Sequence, residues 1–131
     1  MLIFLILPVY ALPKREFRGA WITTGFNLDW PSVAGLSADK QKAEYQDLLD
    51  SLKSYGMNAV VLQVRAAGDA IYPTQYAPWA ISLSGKEGTA PTPLYDPLSF
   101  AIEATHAHAM EFHAWFNPFR VAVNWSPGKR L

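Results

Sequence analysis

Cysteine is absent from all 131 residues. That excludes disulfides, thiolate metal sites and cysteine nucleophiles, and it leaves the redox compartment open. A charge surplus is missing too, since 11 Lys plus Arg stand against 11 Asp plus Glu. Nucleic-acid binding needs a basic face that displaces counterions, and this balance does not supply one. A polybasic membrane patch and an acidic tail are excluded on the same ground. Only 17% of the residues are charged and 50% are apolar, which is the composition of a folded chain. No apolar run reaches the roughly 20 residues of a transmembrane helix. Neither a GxGxxG after the first predicted strand nor a Walker A signature is present, so nucleotide binding has nothing to rest on. Histidine numbers only 3. His106 and His108 lie two apart on a predicted helix and point to different faces; both read as solvated. His113 falls on a strand without a paired ligand. No metal and no cofactor is expected.

Aromatics and proline are abundant instead, with 5 Trp, 6 Tyr, 7 Phe and 10 Pro. The length suits one ordinary domain. The first segment, 1–12, has the apolar run Leu2 to Leu7, then Pro8, and a small residue at Ala11. It resembles the end of a secretory signal without its positive start, and a buried strand is the competing reading. The signal reading implies a secreted, periplasmic or envelope protein.

Strand and helix alternate after that. Phe17 to Thr23 is β-rich and ends at Thr24-Gly25. From Ala38 to Tyr55 the pattern is helical, with Tyr45, Leu48, Leu49 and Leu52 on one face, Ser37 as N-cap and Gly56 just past the end. Asn58 to Val64 is a nearly continuous apolar run, the mark of a parallel strand covered on both faces. Arg65 to Tyr95 is a long connection, punctuated by Pro and Gly. Asp96-Pro97 opens a second helix, because Asp caps orphan amides and Pro costs nothing in the first turn. Leu98, Ala101, Ile102 and Thr105 supply its apolar face. Glu111 to Phe116 is the third strand, stopped by Asn117-Pro118. The fold class is therefore α/β, in the order β-α-β-α-β, with right-handed crossovers and a parallel sheet.

Both strand-to-helix loops are long and rich in Trp, Tyr, Arg and Asp, whereas the helix-to-strand turns are minimal. Function in parallel α/β folds sits on the former. Alternation puts Ala59, Val61, Gln63 and Arg65 on one face of the second strand and Val60, Leu62 and Val64 on the other. The third strand likewise puts His113, Trp115 and Asn117 on one face and Phe112, Ala114 and Phe116 on the other. Polar groups recurring near the strand exits on one face are the pattern of a barrel interior approaching a site.

The stretches FRGAWITTGFNLDWPS, GMNAVVLQVRAAGDAIYPTQYAPW and YDPLSFAIEATHAHAMEFHAWFNPFRV closely resemble the start of the glycosyl-hydrolase-like family 10, the former domain of unknown function 187. The resemblance implies a bacterial envelope protein with a (β/α)8 TIM-type barrel, of which residues 13–131 form the N-terminal part. It also implies a glycosidase acting on glycan strands, including peptidoglycan strands stripped of their peptides. Such a barrel uses roughly 250 residues. Its acid and nucleophile carboxylates lie at later strands, so they are expected beyond residue 131. No carboxylate pair within the chain is placed for glycoside hydrolysis, which needs two flanking the scissile bond. Asp29 and Asp69 read as loop-orienting groups, and Glu16 and Glu111 lie near strand starts.

The implied contribution of this chain is substrate binding. Sugar C–H faces rest on rings and hydroxyls want fixed hydrogen-bonding groups. The site residues expected are Trp30, Arg65, Asp69, Tyr72, Trp79, His113, Asn117 and Arg120, with Tyr76 beside them. Each has a competing reading. Trp21 and Trp115 read as barrel core. Trp30, Tyr76 and Trp79 either pack their own loops or stack on ligand. Arg65 and Asp69 either form an internal salt bridge or serve the site. His113 either titrates or only hydrogen-bonds within the barrel. Arg65 and Arg120 are further expected to grip the free lactyl carboxylate of a peptide-free strand. The expected partner is a polysaccharide or peptidoglycan strand. The alternatives are a non-catalytic carbohydrate-binding remnant and a truncated product without independent activity. Three parallel strands with two open edges would be poorly stable alone or would associate.

Overall fold

The computed structural model describes residues 16–122. The signal-like segment 1–12 and the family-like end from 123 onward lie outside the described residues. The elements are β1 (Gly19–Ile22), a 3-10 turn (Gly25–Asn27), α1 (Ala38–Ser54), β2 (Ala59–Arg65), α2 (Ile81–Ser84), α3 (Pro97–Ala107) and β3 (Glu111–Phe116). The three strands form one parallel sheet in the order β1-β2-β3. The chain is thus α/β, as its alternating pattern predicts.

Local chemistry accounts for the boundaries. Ser37 accepts the Lys40 amide at the start of α1, and Gly56 ends that helix at φ 78°, where a Cβ would be strained. The Gly56 and Met57 amides return to Lys53 O and Leu52 O at 2.9 and 3.0 Å. Asp96 accepts the Leu98 and Ser99 amides at 3.0 and 3.1 Å, with Pro97 in the first turn of α3. A Cβ at Gly19 would meet the exposed Phe17 ring at 2.6 Å and push it aside.

Ala38, Gln41, Tyr45 and Leu49 are the buried stripe of α1, at helical spacing. On α3 it is Pro97, Ala101, Ala104 and Thr105. Leu98 packs alongside the core, while Ile102 is only half-buried. Small residues at the contact let α3 approach the sheet closely. Both helices cover the same face. Tyr45, Leu49, Ala101 and Ala104 join Ile22, Val60, Leu62 and Val64 in one core. The opposite face carries Trp21, in register with Val61 and His113, and then Trp115 beside Gln63. Trp21 is 65% exposed there and stacks edge-on with Trp115, ring centroids 5.1 Å apart. Neither indole is core among the described residues, because no described helix covers that face.

The long connection after β2 is ordered by its own packing. Ala70 bridges Trp79, and Ile71, Ala80 and Leu83 enter the core. Two elements fall outside the predicted pattern, the Gly25–Asn27 turn and α2. Both are too short to show a period.

Candidate functional site

The C-terminal ends of β1, β2 and β3 meet through side-chain bonds. Gln63 is 2% exposed, and its Oε1 accepts the Thr24 amide at 3.1 Å and the Gly25 amide at 2.9 Å. Thr24 Oγ1 donates back to Gln63 O at 2.9 Å. On the other side, the Asn117 amide donates to Arg65 O at 3.0 Å and Asn117 Nδ2 to Ala66 O at 3.0 Å. Trp115 Nε1 donates to Asn117 Oδ1 at 2.9 Å. A register shift at Gln63/Arg65 sets Arg65 opposite Phe116. The Gly68 amide donates to Val121 O at 3.2 Å, and a Cβ on Gly68 would lie 2.9 Å from that oxygen. Residues 117–121 therefore run across the Arg65–Gly68 segment, and exposed Arg120 sits on that crossing.

Arg65 is half-buried. Its Nε donates to the Asp69 carbonyl at 3.1 Å, and no described residue accepts from its two Nη groups. The competing reading of the pair as an internal salt bridge is corrected on this point. The pair does brace the loop, through a backbone oxygen, while the Asp69 carboxylate accepts the Ala67 amide at 3.0 Å. Asp69 is 4% exposed. Asp29 accepts the Thr23 amide at 2.7 Å. Both carboxylates thus orient loops, as the sequence predicts.

Other expected site residues are dispersed. Trp30 is fully buried, donates from Nε1 to Gln41 O at 2.8 Å and stacks edge-on with Tyr45 at 4.9 Å. It is core, and its assignment as a sugar contact is corrected: α1 covers the ring completely. Tyr72 and Trp79 are half-buried against the same core. Tyr76 is 85% exposed. His113 lies on the open face near the middle of β3, bonded to Glu111 Oε2 at 3.3 Å and packed edge-on against Phe17. It is remote in register from the strand exits. The structure thus brings together Arg65, Asp69 and Asn117, places Arg120 on the segment that adjoins them, and leaves Trp30 and His113 elsewhere.

Helix α3 and its C-cap carry the other two histidines. His106 is exposed, whereas His108 is not solvated as expected: its ring nitrogens meet Ala104 O at 2.7 Å and Asp50 Oδ1 at 3.0 Å. Among the described residues no group of three or more His, Asp or Glu could hold a metal, and no helix is long and apolar enough to cross a membrane.

Two glutamines were not among the expected residues. Gln63 ties the first loop to β2. Gln41 is fully buried, donates from Nε2 to Leu36 O at 2.7 Å and Leu83 O at 3.1 Å, and accepts from Tyr95 OH at 2.8 Å. The signal for Gln41 lies four residues before Tyr45, a carboxamide on the apolar stripe of a helix. A buried polar side chain in such a place is a hydrogen-bonding node.

The fold and site define an α/β chain whose loops at the C-terminal end of a parallel sheet gather cationic and amide groups. The chain belongs to the glycosyl hydrolase-like 10 family, whose model matches residues 16–130. It is 51% identical over 121 residues to glycosyl hydrolase YngK of Bacillus subtilis (strain 168), covering 92% of this chain and 23% of that protein. It is 41% identical over 122 residues to glycosyl hydrolase DigH of Escherichia coli (strain K12), covering 88% of this chain and 27% of that protein. The chain thus spans about a quarter of the length of these curated relatives.

Proposed function

We propose that the chain is the opening β-α-β-α-β portion of a (β/α)8 barrel in a secreted or periplasmic glycoside hydrolase, and that its loops form part of the wall that binds bacterial cell-wall glycan. The order β1-β2-β3 with both described helices on one face fits the barrel, because successive right-handed crossovers in one direction lay each helix on the same side. In this reading the acid and nucleophile are not among the 131 residues, and Asp29 and Asp69, each accepting a backbone amide, orient loops.

The observation that carries the substrate reading is the Arg65 guanidinium. Nε is held by the Asp69 carbonyl, and no described residue accepts from the two Nη groups, which leaves them to a planar acceptor. The lactyl carboxylate of a peptide-free peptidoglycan strand is such an acceptor, and a bidentate grip suits it. Arg120, on the crossing segment beside it, adds a second cation.

Co-sedimentation of the chain with peptide-free glycan strands and with chitin oligomers tests this. The expected result is retention on the naked strands, weakened about tenfold or more by Arg65→Met, as a charge-assisted bond of roughly 1.5–3 kcal/mol implies. Chitin oligomers, lacking the carboxylate, are expected to lose little. No retention, or equal loss on both polymers, overturns the reading.

A further inference from the structure

We infer that Phe26 is a sugar-stacking residue, its ring held out as a platform for the apolar C–H face of a pyranose. The inference rests on the glycan reading above and adds a contact on the first loop. Phe26 has φ 58° and ψ 15°. In that left-handed region Cβ crowds the carbonyl oxygen, so glycine or asparagine is the easy occupant and phenylalanine a costly one. Burial does not compensate, since the side chain is 58% exposed.

The turn is nevertheless fixed on both flanks. Gly25, before it, is buried with its amide on Gln63 Oε1 at 2.9 Å, and that oxygen would lie only 3.2 Å from a Cβ there. Asn27, after it, donates from Nδ2 to Pro31 O at 2.8 Å and Ser82 O at 2.9 Å. Gln63 stands two residues before Arg65, so the ring belongs to the same end of the sheet as the guanidinium. Among the described residues nothing covers the ring or offsets its conformation, and such conformations cluster at ligand clamps. The ring carries no charge, and against a glycan the contact it offers is stacking on the C–H face of a sugar.

Titration calorimetry with peptide-free glycan strands and melting curves, on the parent chain and on F26A, F26N and F26W, tests this. F26N is expected to melt at or above the parent temperature, because Asn tolerates the left-handed region, yet to bind glycan about tenfold more weakly. F26A weakens binding similarly and F26W retains it. If the parent binds and F26A and F26N both bind within about twofold of it, the stacking role is overturned and the glycan reading stands. If the parent binds no glycan, the glycan reading falls and the stacking role with it.

Discussion

Gln63 does with one carboxamide oxygen what a strand pair would need several residues to do. It accepts two amides of the first loop where water does not reach. Gln63→Leu leaves both donors buried and unpaired, at about 1–3 kcal/mol each. The expected loss is therefore about 2–6 kcal/mol in denaturant unfolding, with a smaller loss for Gln63→Glu, which keeps the acceptor. A Leu variant as stable as the parent would show that the loop repacks. The alternation of β2 already put this residue on the polar face, but alternation names no partner. Trp30 was misread for a related reason. A Trp-Pro pair in an Asp-bearing loop has the composition of a ligand contact, and only the position of Tyr45 and Gln41 on α1 reveals the slot that the indole fills.

Helices α1 and α3 meet at Tyr45, whose hydroxyl lies 3.0 Å from Thr105 Oγ1. Burial pushes the Tyr45 phenol up to about 12, with the Thr105 contact offsetting part of the shift. Burial also raises Tyr95, reinforced by the Asp96 charge. The unfolded phenols ionise first, so stability is intact below pH 10 and falls as pH climbs towards 12. Tyr45 alone is expected to account for about 2–3 kcal/mol of that fall. Melting curves from neutral pH upward check it: Tyr45→Phe lowers stability slightly at neutral pH and flattens the alkaline loss, leaving the share of Tyr95. An unchanged alkaline slope would contradict the assignment. At this scale the long elements were legible, since seventeen residues of α1 repeat their stripe several times and caps mark its ends. Helix α2, with four residues, and the turn at Gly25–Asn27 repeat nothing, and tertiary bonds alone define them.

The whole molecule has two unlike sheet faces. One is the core; the other carries no described helix and leaves Trp21 exposed. Two tryptophans distinguish them. Trp30→Ala empties a fully buried site and is expected to cost about 3–5 kcal/mol. Trp21→Ala removes mainly its edge-on contact with Trp115, worth about 0.5–1.5 kcal/mol. Equal losses in chemical denaturation would mean that the open face is covered in solution. The parallel order and the helix-covered face follow from Val60, Leu62 and Val64, whereas the site's composition depended on which loop residues the core absorbed.

The Gln41 junction has a consequence for motion. Its carboxamide joins Leu36 of the first loop to Leu83 and Tyr95 of the long connection after β2. Freeing any one strands a buried polar group in the others. Neither long loop can therefore open alone, and their slow amide hydrogens exchange with solvent as one cooperative unit rather than loop by loop.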